Sequence, residues 1–155
     1  MIFVTLGTHE LQFNRLLSYV EKTFIDEEVI IQSGNTEFQS GKYKVRPFLE
    51  AKDFNECIEK CNLVICHGGV GTILSALRKD KKVIVVPRLY IYNEHNDDHQ
   101  LEISNKLDKQ GYIITCQNYT EFNEAIKNYK SKELKKYKFN NEKIIKFIKT
   151  YIDEI

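Results

Sequence analysis

Short apolar runs recur along the chain and predict six strands. Most of them are continuously apolar rather than alternating, and glycine, proline or polar residues bound them. Continuous apolar strands are typical of a sheet that is buried on both faces. The runs cover residues 2–6, 29–33, 43–48, 63–67, 82–87 and 112–116.

Apolar residues at helical spacing separate these runs and predict the helices. Helices are expected over residues 11–24 and 49–60, from Ile73 to Leu77, and over 101–111, 119–130 and 140–152. Strands that alternate with helices indicate a parallel sheet covered on both sides. We therefore predict one doubly wound, Rossmann-like α/β domain spanning residues 1–155.

Composition narrows the class of protein. With 42% hydrophobic and 29% charged residues, and no apolar run near the roughly 18 residues that span a bilayer, the chain is expected to be cytosolic. The net charge of +1 gives no reason to expect nucleic acid as a partner. Four cysteines lack the paired C-x-x-C spacing of a zinc site, so we expect free thiols packed in the core.

Charge is uneven along the chain. Residues 127–149 hold nine lysines against two glutamates. The helix predicted at 140–152 is therefore basic and amphipathic. Such a helix packs on its own domain, with its lysines in water, or docks on an anionic membrane or a partner protein.

Glycine-bearing turns follow two of the predicted strands. Ligands of open parallel sheets lie beyond the carboxyl ends of the strands, where Gly7-Thr8 and the run from His67 to Thr72 fall. The free N–H groups and dipole of a following helix favour an anion such as phosphate. The run matches neither the P-loop nor the dinucleotide pattern, and a purely structural turn is the alternative.

A polar cluster from Glu94 to Gln100 precedes the helix at 101–111. Its side chains suit sugar hydroxyls, because an unmatched buried polar group costs about 1–3 kcal/mol and so gives selectivity. A second interpretation is a metal site, since His95 and His99 stand four residues apart. In a third, Asp97 or Asp98 only caps the helix.

Four segments in a fixed order resemble a known family. They are residues 3–10 (Phe-Val-Thr-Leu-Gly-Thr-His-Glu), Gln32–Gly34, 66–72 (Cys-His-Gly-Gly-Val-Gly-Thr) and Asp98–Gln100. Together they resemble the exopolysaccharide glycosyltransferase subunits of the PssE/EpsF type, which belong with glycosyltransferase family 28 C-terminal domains. The soluble half of the eukaryotic two-part UDP-GlcNAc transferase is a relative. The resemblance covers residues 1 to about 130 and implies the C-terminal, donor-binding half of a GT-B fold.

The resemblance also implies roles for individual residues. Phe48 lies along the uracil, and His99 and Gln100 contact hydroxyls of the donor sugar. Family members often carry a Glu three residues after the position of Thr72, where it contacts the ribose; here that residue is Ser75, and Glu94 or Glu102 are the alternatives. The pocket for the UDP-sugar is otherwise formed by Gly7, Thr8, Ser33, Gly34, His67, Gly68, Gly69, Gly71 and Thr72.

Sugar transfer from a UDP-sugar needs a stabilised leaving diphosphate and a base for the acceptor hydroxyl. The glycine turns supply the first, so we expect no cofactor and no metal. His9, just after the first glycine turn, is the candidate base. A partner protein is the other source of that base.

The sequence thus predicts the donor-binding subunit of a two-component enzyme in capsule or exopolysaccharide biosynthesis. It is expected to transfer galactose, glucose or GlcNAc from a UDP-sugar to a lipid-linked saccharide. A membrane-anchored subunit would bind that acceptor and hold this chain at the cytoplasmic face of the membrane. Two alternatives stay open: a catalytically silent module that regulates a partner, and a metal-dependent hydrolase using His95, Asp97, Asp98 and His99.

Overall fold

A computed structural model describes residues 1–139 of the chain. The helix predicted at 140–152 lies outside the described residues. The remaining predicted strands and helices are all present within a few residues of their expected positions. In chain order they are β1 (Ile2–Thr5), α1 (Asn14–Lys22), β2 (Val29–Gln32), β3 (Lys44–Arg46), α2 (Ala51–Lys60), β4 (Leu63–Cys66), α3 (Val70–Leu77), β5 (Lys82–Val85), a 3₁₀ turn (Tyr90–Tyr92), α4 (His99–Lys109), β6 (Ile114–Thr115) and α5 (Tyr119–Asn128).

The six strands form one parallel sheet in the order β3-β2-β1-β4-β5-β6. The chain builds outward from β1 to β3 and then returns to place β4 on the other side of β1. Ile2 is in register with Val29 on one side and with Leu63 on the other. The predicted doubly wound α/β sheet is confirmed.

Both faces of the sheet are covered, which explains the continuously apolar strands. On one face, Leu16 of α1 and Phe122 of α5 pack against alternate residues of the central strands. On the other face, Ile58 of α2 and Ile73 of α3 share a cluster with Phe3 and with the remaining strand residues. Successive strand residues point to opposite faces, so every position of β1 is buried.

The first helix begins later than its apolar pattern predicts. Leu11 belongs to a loop, and α1 starts only at Asn14. The backbone N–H of Phe13 donates to Thr36 Oγ1 at 3.0 Å, and the side chain of Gln12 donates to the carbonyl of Asn35 at 2.9 Å. These contacts hold residues 8–13 against the loop after β2, so Gly7-Thr8 is not a direct strand-to-helix turn.

The cysteine prediction is confirmed for all four residues, which are free thiols. Cys61, Cys66 and Cys116 are buried, and burial raises the pKa of the Cys61 thiol to about 11. They act as small core residues. Of the helices within residues 1–139, none combines the length and the apolar character needed to cross a bilayer.

Candidate functional site

A cavity of about 500 Å³ lies at the carboxyl edge of the sheet, where β1 and β4 are neighbours. Strand order reverses at this point, and doubly wound folds bind their ligands in such a crevice. The volume lies within the range of small-molecule sites. The cavity is lined by Thr5, Gly7, Thr8, Gln32, Phe48, Leu49, Ala51, Phe54, Asn55, His67, Gly69, Gly71 and Thr72.

The ring of His67 lies between two of these glycines. A Cβ added at Gly7 or at Gly69 would approach the ring to under 3.0 Å, closer than non-bonded atoms tolerate. Gly7 also has a φ of +73°, in the left-handed region that side chains disfavour. Both positions therefore require glycine because the imidazole occupies the space between them.

His67 is uncharged at neutral pH. Burial, and next the positive charge of Arg88, lower its pKa to about 4. Its Nδ1 faces the carbonyl oxygen of Thr5 at 3.5 Å, so Nδ1 carries the proton and Nε2 is left as an acceptor. The imidazole of His67 therefore brings no positive charge to the site at neutral pH.

We expect the free energy of unfolding to fall by about 1.5 kcal/mol between pH 6.5 and pH 5 because of His67. Its pKa is about 4 in the folded chain against 6.5 for the free side chain, so the unfolded state takes up the proton first as the pH falls. The lowered pKa of His9 acts in the same direction. Urea denaturation at the two pH values measures the loss. His67→Gln should remove most of this pH dependence and the exposed control His99→Gln should retain it; an equal slope in both variants contradicts the assignment.

Helix α3 presents its first amides to the cavity. The first backbone hydrogen bond of the helix is donated by Ile73 to the carbonyl of Gly69. The N–H groups of Val70, Gly71 and Thr72 have no acceptor among residues 1–139. Their partial positive charge, with the helix dipole, makes this end of the cavity a place for an anion.

Gln100 connects two loops at the edge of the site through hydrogen bonds. Its Oε1 accepts from the backbone N–H of Gly68 at 3.0 Å and from that of Arg88 at 3.1 Å. A Cβ on Gly68 would collide with Gln100, so the close approach also needs glycine there. The amide of Gly68 is thus used within the protein, and only Nε2 of Gln100 is left for a sugar hydroxyl.

Arg88 is a buried cation whose structural role the sequence pattern does not show. It is only 1% exposed, and its guanidinium donates to the carbonyls of Leu6, Leu11 and Glu94 at 2.8 to 3.1 Å. Burial lowers its pKa to about 10, and Glu94 opposes that shift. Arg88 thereby ties the loop after β1 to the loop after β5. A charged residue directly after Pro87, at the end of the apolar run 82–87, was the available signal.

Glu94 is not available to contact a ribose. Its side chain is buried and pairs with Arg15, with Oε2 2.7 Å from Nη2 and Oε1 3.0 Å from Nε. It also accepts from the amide of Leu89. Burial opposes the charge of Arg15, yet the bonds to Glu94 raise the pKa of Arg15. This pair fixes the polar loop against α1.

His9 lies beside the cavity rather than in its lining. Its ring stacks on that of His95 with centroids 4.8 Å apart, and burial, Arg88 and His95 together lower its pKa. Nδ1 of His9 accepts from the amide of Leu11 at 3.2 Å, so the neutral ring carries its proton on Nε2. In this tautomer Nε2 donates a hydrogen bond, and a base function for His9 stays a prediction.

The polar loop uses its acidic residues internally. Asp97 Oδ1 accepts from the amide of His99 at 3.0 Å, and Asp98 Oδ1 accepts from that of Tyr90 at 2.9 Å. The predicted helix cap is not found in its usual form, because the N-cap residue of α4 is Asp98 and its side chain makes no capping bond. Asp97, one residue earlier, bonds the first amide of the helix instead. Within residues 1–139, no three side chains of His, Cys, Asp or Glu converge as metal ligands would.

The cavity brings together seven of the predicted donor-binding residues: Gly7, Thr8, Phe48, His67, Gly69, Gly71 and Thr72. Ser33, Gly34, Gly68, His99 and Gln100 lie outside its lining; Gly34 packs on the carbonyl of Gly7, and the side chain of His99 is 73% exposed. Six lining residues were not identified from the sequence: Thr5, Gln32, Leu49, Ala51, Phe54 and Asn55. Most of these sit in strand or helix patterns that look purely structural.

The sequence matches the glycosyltransferase family 28 C-terminal domain over residues 1–155. It is similar to "UDP-N-acetylglucosamine transferase subunit ALG13" of Candida albicans, with 30% identity over 105 residues, which are 68% of this chain and 30% of that protein. The chain thus spans less than half of the length of this curated relative.

Two solved structures share the fold. One is an NMR structure of ALG13, with a TM-score of 0.58 and 24% identity over 89% of each chain. The other is CalG4, the calicheamicin glycosyltransferase, with a TM-score of 0.60 and 13% identity over 82% of this chain and 34% of that one. These likenesses confirm the predicted fold, which is that of the C-terminal half of a GT-B glycosyltransferase.

Proposed function

The chain belongs to the glycosyltransferase family 28 C-terminal domains, and from that premise we propose that it is the donor-binding subunit of a two-part glycosyltransferase. One observation carries the proposal: the cavity at the switch point meets the uncapped amides of α3 on one side and the Gly7 turn on the other. Free amides at a helix start favour an anion, and the anionic part of a nucleotide-sugar is its diphosphate. We therefore place the diphosphate at that end of the cavity.

A UDP-sugar is the proposed donor. The ALG13 proteins, to which this chain is similar, are named as subunits of a UDP-N-acetylglucosamine transferase. GlcNAc is therefore the first sugar to test, followed by galactose and glucose. Phe48, 52% exposed at the other end of the cavity, offers a flat apolar surface to the uracil ring.

The reaction joins the acceptor to the anomeric carbon of the sugar. The acceptor oxygen forms a bond to that carbon, the bond from the carbon to the diphosphate oxygen breaks, and UDP leaves with the electron pair. Amides of Val70, Gly71 and Thr72 stabilise the charge that develops on the diphosphate. The proton of the acceptor hydroxyl goes to a base. Because Nε2 of His9 already carries a proton in this tautomer, we place the base on the partner subunit; His9 would serve only in its other tautomer.

A separate acceptor-binding subunit is part of the proposal. The turn Tyr90–Tyr92 lies after β5, at the same edge of the sheet as the cavity, and its three side chains are 63%, 78% and 56% exposed. An exposed apolar turn beside the site suits a protein contact. We propose a membrane-anchored partner that presents a lipid-linked saccharide, in capsule or exopolysaccharide synthesis.

Calorimetric titration of the full chain tests the donor site. We expect UDP and one of UDP-GlcNAc, UDP-galactose and UDP-glucose to bind, with the preferred UDP-sugar at least tenfold tighter than ADP or GDP. Equal affinity for all nucleotides, or no heat with any of them, contradicts a UDP-sugar site. Transfer of the preferred sugar only when the partner subunit is added separates an enzyme subunit from a silent module.

A further inference from the structure

Three polar side chains of the cavity, those of Thr5, Gln32 and His67, already have partners within the protein. Thr5 Oγ1 accepts from the amide of Gly7 at 3.4 Å and from Gln32 Nε2 at 3.3 Å. Gln32 Oε1 accepts from the amide of Leu49 at 3.2 Å. These groups shape the cavity wall, but most of their donors and acceptors are already hydrogen-bonded within the protein and are not available to a ligand.

Asn55, Thr8 and Thr72 are the lining residues whose polar side chains make no hydrogen bond to any of residues 1–139. The two threonines stand on the Gly7 turn and near the start of α3, at the end proposed for the diphosphate, whereas Asn55 lines the cavity from α2 and is exposed. A primary amide offers two donors and an acceptor, which is the combination that neighbouring hydroxyl groups need. The side chain therefore stands at the cavity with its full hydrogen-bonding capacity available.

Asn55 lies on α2, which follows Phe48 in the chain and packs beside α3. One turn further along α2, Ile58 packs in the same cluster as Ile73 and Ala76 of α3, so the two helices lie side by side. Asn55 and the start of α3 thus line the cavity from two neighbouring helices. With the base at Phe48 and the diphosphate at α3, the sugar of the nucleoside passes Asn55.

Other candidates for this contact are engaged or distant. Ser75 Oγ donates to the carbonyl of Gly71 at 2.8 Å, within its own helix. Glu94 is buried in its pair with Arg15. Glu102 lies on α4, 75% exposed, 3.6 Å from His99 and outside the cavity lining.

We infer that Asn55 hydrogen-bonds the ribose hydroxyls of the bound nucleotide and so forms a subsite that reads the sugar of the nucleoside. The inference rests on the proposed function, since it needs a nucleotide in this cavity. An uncharged amide makes these bonds without bringing a negative charge close to the diphosphate. The subsite selects ribonucleotides over their deoxy analogues.

Calorimetry with two probes tests the subsite. UDP and 2′,3′-dideoxyuridine diphosphate are titrated into the wild type, Asn55→Ala and the control Lys52→Ala, an exposed residue of the same helix outside the cavity. We expect Asn55→Ala to weaken UDP about tenfold, the loss of one to two hydrogen bonds. The dideoxy probe should bind wild type about tenfold more weakly than UDP does and should lose nothing further in Asn55→Ala. Alanine is a good helix former, so the variant should fold.

Each result separates the subsite from the site as a whole. If UDP binds Asn55→Ala as tightly as wild type, the inference is overturned while the proposed function stands. If Asn55→Ala weakens both probes by the same factor, Asn55 acts on the base or the diphosphate, and the ribose assignment is overturned. Failure of UDP to bind wild type overturns the proposed function and, with it, the subsite.

Discussion

Gly71→Asp should weaken UDP binding about a thousandfold while leaving the domain folded. A carboxylate there would share the anion end of the cavity with the diphosphate. Two like charges about 4 Å apart repel by about 4 kcal/mol near a protein surface, which corresponds to roughly that loss. Calorimetry against UDP, with far-UV circular dichroism to verify the fold, measures it.

Gly71 allows the effect of the charge to be separated from the effect of the added side chain. A Cβ added at Gly71 meets no atom within 4 Å, so no steric clash accompanies the charge. Gly71 is the second residue of α3, where an aspartate favours the helix dipole and should hold or raise stability. Gly71→Asn has the same shape without the charge and should cost less than tenfold. Equal losses for the Asp and Asn variants would show that the amides of α3 do not hold the diphosphate.

The apolar pattern was sufficient to predict the sheet and its helices. Its strands are continuous because both faces are buried, and this periodicity depends on local sequence alone. The predicted start of α1 was three residues too early, because Leu11 continues the apolar spacing of the helix. In the structure Arg88 binds the carbonyl of Leu11 and holds this residue in the loop. That contact joins residues 77 positions apart and leaves no trace in a local pattern.

The candidate site was predictable only where glycine marks it. The turns at Gly7 and from His67 to Thr72 stand out, because glycine after a strand implies close backbone approach. Asn55 carries no such signal: it is a polar residue on an amphipathic helix, and only the packing of α2 beside α3 brings it to the cavity. The buried charge of Glu94 was equally hidden, because its partner Arg15 lies 79 positions away in the chain.

Arg88→Met should lower the free energy of unfolding by about 3–5 kcal/mol. Methionine fills most of the volume but leaves the buried carbonyls of Leu6, Leu11 and Glu94 without their donor, and each unsatisfied buried acceptor costs about 1–3 kcal/mol. It also forfeits the stacking of the guanidinium on Phe13, 4.7 Å from the ring centroid. Urea denaturation at pH 7 measures the change as a shift of the midpoint at constant slope.

An exposed arginine, Arg46, provides the matched control for Arg88. Arg46 lies at the end of β3 with its side chain in solvent, so Arg46→Met should change stability by no more than about 0.5 kcal/mol. Because Arg88 joins the loop after β1 to the loop after β5, its replacement should also weaken UDP binding in conditions where the variant is still folded. A loss of stability below about 1 kcal/mol would mean that water satisfies the three carbonyls and that the two loops hold their positions without the buried cation.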